Sequence, residues 1–197
     1  QKIDNGIFKK KDQFGSGTKL VNVVDLYSEN GIINQNSLER VLVTDKELNQ
    51  YSVSSNDIFF VRSSLKLDGI GQSSLVKDID EPLVFECHII RTKPNSQKIH
   101  ANYLRYLLNS HVIKRYLVSI SQTVTMTTIS QDDIKNLKIV CPPIEEQEMI
   151  ANYLDKQVEH IDNLILKLKS QIKKIEESKK SLIFSVITGK IDVRDIV

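Results

Sequence analysis

Cysteine is nearly absent from this 197-residue chain: Cys87 and Cys141 are the only two, and neither sits in a CxxC pair. This excludes a disulfide framework and a zinc-finger spacing, and two isolated thiols suit a reducing, cytoplasmic setting. No apolar run approaches the roughly 20 residues that span a bilayer, and no secretory apolar segment opens the chain. Charge of one sign is lacking too, with 27 Lys+Arg against 25 Asp+Glu and a net of +2. That balance neither demands nor excludes a nucleic-acid partner, because local patches decide the matter. With 40% of residues apolar and 26% charged, the composition excludes a disordered chain. The first residue is Gln1 rather than Met, as expected of a chain that begins inside a longer protein.

Signatures of catalysis are also missing. There is no GxxxxGK[ST] loop, only the fragment Thr188-Gly189-Lys190, and no GxGxxG. The one double proline follows Cys141, so the Asp- or Asn-Pro-Pro-aromatic turn of DNA amino-methyltransferases fails at its first residue. His88, His100, His111 and His160 are scattered, and none forms HExxH. Cys87 and His88 are neighbours in an expected strand, where they would face opposite ways and could not share a metal. Asp133-Ile134-Lys135 has the D-x-K spacing of a metal-dependent nuclease half-motif, but a charged helix surface accounts for it more simply. No catalytic residue and no metal ligand are therefore predicted.

The chain changes character at Cys141-Pro142-Pro143, and the domain boundary is placed there, giving units 1–143 and 144–197. Proline suits the first turn of a helix, and Glu145, Glu146 and Glu148 follow where the helix dipole favours acids. Leu154, Val158, Ile161, Ile165, Leu168, Ile172, Ile175, Lys179, Leu182 and Val186 then alternate steps of four and three, and nine of these ten positions are apolar. That is a coiled-coil seam with one defect at Lys179. Gly189 supplies a stop, so the spacing predicts one helix over about 144–188, roughly 65 Å long. An apolar stripe of that length calls for a companion helix.

Residues 1–143 read as a mixed α/β (α+β) globular unit. Strands are expected at Leu20–Val24, Val41–Val43, Ile58–Val61 and Val84–Arg91, each rich in β-branched or aromatic residues. Asn30-Gly31 and Asp68-Gly69 are turn dipeptides. One helix is expected from about Asn102 to Ser119, burying Tyr103, Leu104, Leu107, Leu108, Val112, Tyr116 and Leu117. A shorter helical turn starts at the N-cap Ser130, with Asp132 and Asp133 behind it.

Three stretches of this unit suit a nucleic-acid face. Lys9, Lys10 and Lys11, with Lys19 soon after, cluster near Gly15 and Gly17, cations on a backbone able to approach phosphate. Arg62, Ser63, Ser64 and Lys66 follow the strand ending at Val61, where an arginine fork can meet a guanine edge. Between Ser119 and Gln131, nine of thirteen residues are Ser, Thr or Gln, among them Gln122, Thr123 and Thr125. Such side chains both donate and accept, as base edges require. By residue type alone the first stretch is equally a solvated charge run and the second a surface loop, and the composition of the third favours a flexible polar loop. Residues 1–143 carry 18 Lys+Arg and 15 Asp+Glu, whereas 144–197 carry 9 and 10, so the mildly basic unit is the first.

The sequence from Ile129 onward resembles the specificity (S) subunit of type I restriction–modification enzymes. The resemblance lies in Pro142-Pro143-Ile144-Glu145-Glu146-Gln147, then Ile150-Ala151, Leu154-Asp155 and Ile161-Asp162, and in the ending Val186-Ile187-Thr188-Gly189-Lys190-Ile191-Asp192-Val193-Arg194. Earlier, Asn56-Asp57-Ile58-Phe59-Phe60-Val61-Arg62 is similar to that family's GDILF.R strand, with Asn56 where glycine is usual. The resemblance implies a target-recognition domain reading half of a bipartite site on double-stranded DNA. It also implies a conserved helix that pairs with a second S half, or with its own copy, as a spacer. Methylation (M) and restriction (R) subunits would be partners, with S-adenosylmethionine, ATP and Mg on them and no cofactor on this chain. It implies a non-catalytic subunit, present as a fragment or a natural half. A metal-dependent nuclease using Asp133 and Lys135, or a coiled-coil protein adaptor, are the competing expectations.

Overall fold

The computed structural model describes residues 2–123 and 126–194. The chain forms two compact units, Gln1–Ala151 and Asn152–Val197.

The first unit holds three sheets. Strands β1 (Lys2–Asn5), β4 (Ile58–Val61), β6 (Ser73–Leu75) and β8 (Ile89–Lys93) form an antiparallel sheet in the order β1-β8-β4-β6. Strands β2 (Phe14–Val21), β3 (Glu39–Val41) and β7 (Leu83–Phe85) form a mixed sheet, with β2 antiparallel to β3 and parallel to β7. The third is a small antiparallel sheet of two-residue strands: β5 (Ser63–Ser64), β9 (Gln122–Thr123) and β10 (Thr127–Thr128), in the order β5-β10-β9. The helices of this unit are α1 (Asp45–Tyr51), α2 (Ala101–Leu108), α3 (His111–Ile120), α4 (Gln131–Lys135) and the start of α5 (Ile144–Ile187).

Alternation along β4 decides the packing. Phe59 and Val61 join a core with Val21, Phe85 and Ile89, and the Phe59 and Phe85 rings lie 5.0 Å apart. Ile58 and Phe60 face the other way, onto Leu104, Leu108, Ile113 and Leu117 of α2 and α3. The central sheet is thus buried on both faces. Arg91 crosses it, 1% exposed, with Nε 2.8 Å from Asp4 Oδ1, Nη2 2.6 Å from Asp4 Oδ2, and its guanidinium 4.6 Å from the Phe85 ring centre. Asp57 is buried beside it and accepts a hydrogen bond from Ser54 N–H at 2.9 Å. Burial pushes its carboxyl upward, against the Ser54 N–H, Lys93 and Arg91.

Several boundaries differ from the sequence expectation, each for a local reason. The strand expected at Leu20–Val24 is Phe14–Val21, because Asn22 N–H bonds Asp25 Oδ2 at 2.8 Å and opens a 3₁₀ turn over Val23–Leu26. The strand expected at Val41–Val43 is Glu39–Val41, since Leu42 is 53% exposed and Thr44 caps α1. The strand expected over Val84–Arg91 is two strands in different sheets, with Cys87 and His88 in the turn between them. The opposite-faces argument for that pair therefore lapses. The single helix expected over 102–119 breaks at Asn109, whose side chain donates to Arg105 C=O at 3.0 Å and Ser73 C=O at 3.1 Å. The break turns α3, so Ile113 and Leu117 face inward while Val112 and Tyr116, expected in the core, are 74% and 46% exposed. Asn56 takes the left-handed φ of 70° that asparagine tolerates better than most residues, which explains its place where glycine is usual.

The base of α5 is tied to this unit by Gln147, which is fully buried. Its carbonyl accepts from His100 N–H at 2.9 Å, and its amide donates to Lys98 C=O at 3.0 Å and Pro142 C=O at 2.8 Å. Ala151, also fully buried, closes the contact. The helix begins at Ile144, after the two prolines; the compact units divide farther along because its first turns pack onto the α/β unit.

The second unit is the remainder of α5 and its end. Gly189, at φ 73°, donates to Val186 C=O at 3.1 Å, and Ile191 N–H reaches Ser185 C=O at 3.1 Å, the glycine-ended cap expected from the sequence. Ile161, Ile165, Leu168, Ile172, Ile175 and Leu182 of the seam are exposed, while Leu154, Val158 and Val186 are half-buried. Among the described residues, no helix is long and apolar enough to cross a membrane.

Candidate nucleic-acid interface

Two polar stretches far apart in sequence meet in the small sheet. Ser64 pairs with Thr127 and Ser63 with Thr128, and Thr127 and Thr128 pair in turn with Thr123 and Gln122. Every residue in its three strands is Ser, Thr or Gln. Arg62 is the hinge between this sheet and β4. Its N–H bonds His88 C=O at 2.9 Å, and its C=O receives Ile129 N–H at 3.0 Å.

Among the described residues, the half-buried Arg62 guanidinium reaches only Cys87 C=O, at a long 3.4 Å, which leaves most of its fork available. It lines a polar cleft of about 290 Å³ with Asn5, Gln122, Thr128 and Ser130. Asp133 borders the cleft too, but its carboxylate is occupied: Oδ2 accepts from Ser130 N–H and Ser130 O–H, both at 2.7 Å, in the capping box of α4. A second hollow, about 640 Å³, is lined by Ser63, Ser64, Lys66, His88 and Met126. Ser63 and Ser64 are buried, and Ser64 Oγ accepts from Lys66 N–H at 3.1 Å; the Lys66 side chain is exposed. Gln122 is exposed; Thr125, and the side chain of Thr123, lie outside the described residues.

The lysine cluster is placed differently. Lys9 is held by Glu47 at 2.8 Å, and that ammonium, with the Thr44 N–H, draws the Glu47 carboxyl down to about 2. Lys19 and Arg40 both lie 2.8 Å from Glu81, whose carboxyl also falls to about 2, through Arg40 first and then Lys19. Lys10 and Lys11 are exposed. Lys19 belongs to the β3-β2-β7 sheet, so the cluster does not join the strands that carry Ser63 and Gln122.

Sequence reasoning missed Asn5, which enters the cleft only because β1 pairs with β8, and His88, which its turn delivers to the larger hollow. Neither carries a local signal. Among the described residues, no group of three His, Cys, Asp or Glu side chains is placed to hold a metal ion.

The chain is 24% identical over 188 residues to the type I restriction enzyme StySPI specificity subunit of Salmonella potsdam, covering 95% of this chain and 40% of that protein. It is 31% identical over 152 residues to the MjaVIII specificity subunit of Methanocaldococcus jannaschii, covering 76% of this chain and 35% of that one. The chain thus spans well under half the length of these curated relatives. Among solved structures, a chain from work on the assembly and conformational transition of the type I R-M system aligns with a TM-score of 0.71 at 16% identity, over 93% of this chain and 42% of its own. The HsdS subunit from Thermoanaerobacter tengcongensis aligns at 0.58 with 17% identity, over 83% of this chain and 36% of its own. Both likenesses concern the fold, a mixed α/β unit followed by a long helix. With that family's pattern matched across residues 3–174, the chain belongs to the type I restriction modification DNA specificity domain family.

Proposed function

We propose that this chain reads a specific DNA sequence as one target-recognition half of a type I specificity subunit. The observation that carries the reading is the β5-β10-β9 sheet. It gathers Ser, Thr and Gln side chains from two distant stretches around a half-free arginine and beside an exposed lysine. Uncharged groups that both donate and accept match base edges, while the arginine fork suits a guanine. Arg62 and Gln122 are assigned to bases, Lys66, Lys10 and Lys11 to phosphates, and Thr123 and Thr125 to further DNA contacts. Ser63 and Ser64 support that face from beneath, and Lys9 and Lys19 add to the field of the unit rather than to direct contacts.

On this reading the chain is non-catalytic and cytoplasmic, and needs no cofactor. Methylation and restriction subunits would supply S-adenosylmethionine, ATP and Mg chemistry. The α5 seam, an exposed apolar stripe at coiled-coil spacing, would pair with a second S half or a second copy. Two copies related by a twofold axis would read a palindromic bipartite site.

Binding-site selection from a random duplex library tests the proposal. Recovery of one short sequence, bound more weakly as salt rises, is expected. Equal binding of all sequences would refute it. Incubation of the chain with DNA and magnesium should leave the duplex intact.

A further inference from the structure

The loop after β5 holds two leucines in water. Leu65 is 84% exposed and Leu67 54% exposed, on either side of the exposed Lys66. The backbone beneath them is fixed. Lys66 N–H bonds Ser64 Oγ at 3.1 Å, Gly69 N–H bonds Lys66 C=O at 3.1 Å, and Tyr27 O–H bonds Gly69 C=O at 3.3 Å. A Cβ on Gly69 would lie 2.5 Å from both Ser64 Oγ and Tyr27 Oη, so the loop is packed tightly under its turn. A fixed loop that keeps leucines exposed forgoes their burial unless a partner covers them.

The surroundings identify that partner's charge. Leu65 lines the 640 Å³ hollow with Lys66 and Met126, while Leu67 lines a neighbouring hollow of about 620 Å³ with Lys114 and Arg115. Among the described residues lining either hollow, Glu86 is the one carboxylate, and its Oε1 already accepts from Val23 N–H at 3.0 Å. An apolar tip framed by cations and continuous with a Ser/Thr/Gln sheet fits a polyanion that also offers an apolar group. In the major groove of DNA that group is the 5-methyl of thymine.

We propose that Leu65 is a specificity-determining residue that packs on a thymine methyl, with Lys66 and Arg115 on flanking phosphates. This rests on the DNA-recognition reading above, and the test separates the two. Once a site has been selected, each thymine is replaced in turn by deoxyuridine, which lacks the methyl. The full wild-type chain should lose about three- to fivefold in affinity at one position, the scale of one buried methyl group. Leu65→Ala, at a position too exposed to threaten folding, should bind more weakly and be indifferent to that same replacement. Lys66→Ala should instead weaken all sequences alike and lower the salt slope by about one. The Leu65 proposal is overturned if no deoxyuridine position affects the wild type, if the effect persists in Leu65→Ala, or if the selected half-site contains no thymine. If no sequence is selected at all, the DNA-recognition reading itself falls.

Discussion

Replacing Gln147 by leucine nearly keeps the side-chain volume but removes every polar atom from a fully buried side chain. In the native protein that side chain satisfies His100 N–H at 2.9 Å, Lys98 C=O at 3.0 Å and Pro142 C=O at 2.8 Å. Lys98 C=O keeps a weak contact from Cys141 Sγ at 3.7 Å, so two groups rather than three are stripped outright. An unsatisfied buried backbone group costs about 1–3 kcal/mol. Two of them place the loss near 4 kcal/mol, a large fraction of the stability of an ordinary domain. Urea unfolding followed by circular dichroism reads this directly. With a slope of about 2 kcal/mol/M, typical for a unit of this size, the midpoint should fall by about 2 M. Glu145→Ala, at an exposed position two residues away, should move the midpoint by about a tenth to a quarter as much, through the helix dipole alone. A shift in Gln147→Leu no larger than in Glu145→Ala would mean that the buried amide does not staple the helix base to the loop before α2.

Three further outcomes follow from the geometry. Asn56→Gly should leave stability unchanged or slightly raised, whereas Asn56→Val should cost about 1–2 kcal/mol, because a β-branched residue resists the φ of 70°; equal thermal midpoints for the two variants would contradict this. Glu47 has a folded pKa of about 2 against an ordinary 4.5, so its contribution is present above pH 4.5 and lost as pH falls toward 2; an NMR titration placing its midpoint near 4.5, or an unchanged acid limb in Lys9→Met, would refute the pairing. Ile165→Asp combined with Leu168→Asp should leave the fold of the first unit intact but reduce a dimeric mass in light scattering to that of a monomer; an unchanged mass would remove the seam as the pairing surface.

The parts legible in the sequence are those with long-range regularity. The helix α5 repeats its spacing often enough that Lys179 does not obscure it, and β4 is an unbroken apolar run between Asp57 and Arg62. Where regularity misleads, a single side chain decides. Apolar spacing runs on past Asn109, and only its bonds to Arg105 and Ser73 show that the helix must break there. The run Val84–Arg91 contains no Gly or Pro, so the turn at Cys87-His88 that sends its two halves into different sheets leaves no mark. In the candidate interface the residue types were legible but their meeting was not. Strands of two residues have no periodicity, and Ser63 and its partner Thr128 lie far apart in the chain. The carboxylates that hold Lys9 and Lys19, those of Glu47 and Glu81, also lie far along the chain, which is why a run of lysines looked freer than it is.

Those ion pairs bear on why a reader and a pairing helix belong on one chain. Lys9, Lys19, Arg40, Arg91 and Lys93 all face carboxylates within the first unit, so part of its positive charge is held internally. Non-specific affinity for DNA rises with the number of phosphates neutralised, and these five cations are held away from that task. On the proposed reading, a single unit of this kind would bind one half-site weakly and discriminate mainly through its few base contacts. Joining two such units through a rigid helix turns the second encounter into an intramolecular one at high local concentration, so affinity is recovered without adding indiscriminate charge. On the proposed reading, the exposed seam of α5 is therefore as much a part of sequence recognition as Arg62, and severing it should cost more affinity for a two-half site than removing any one base contact.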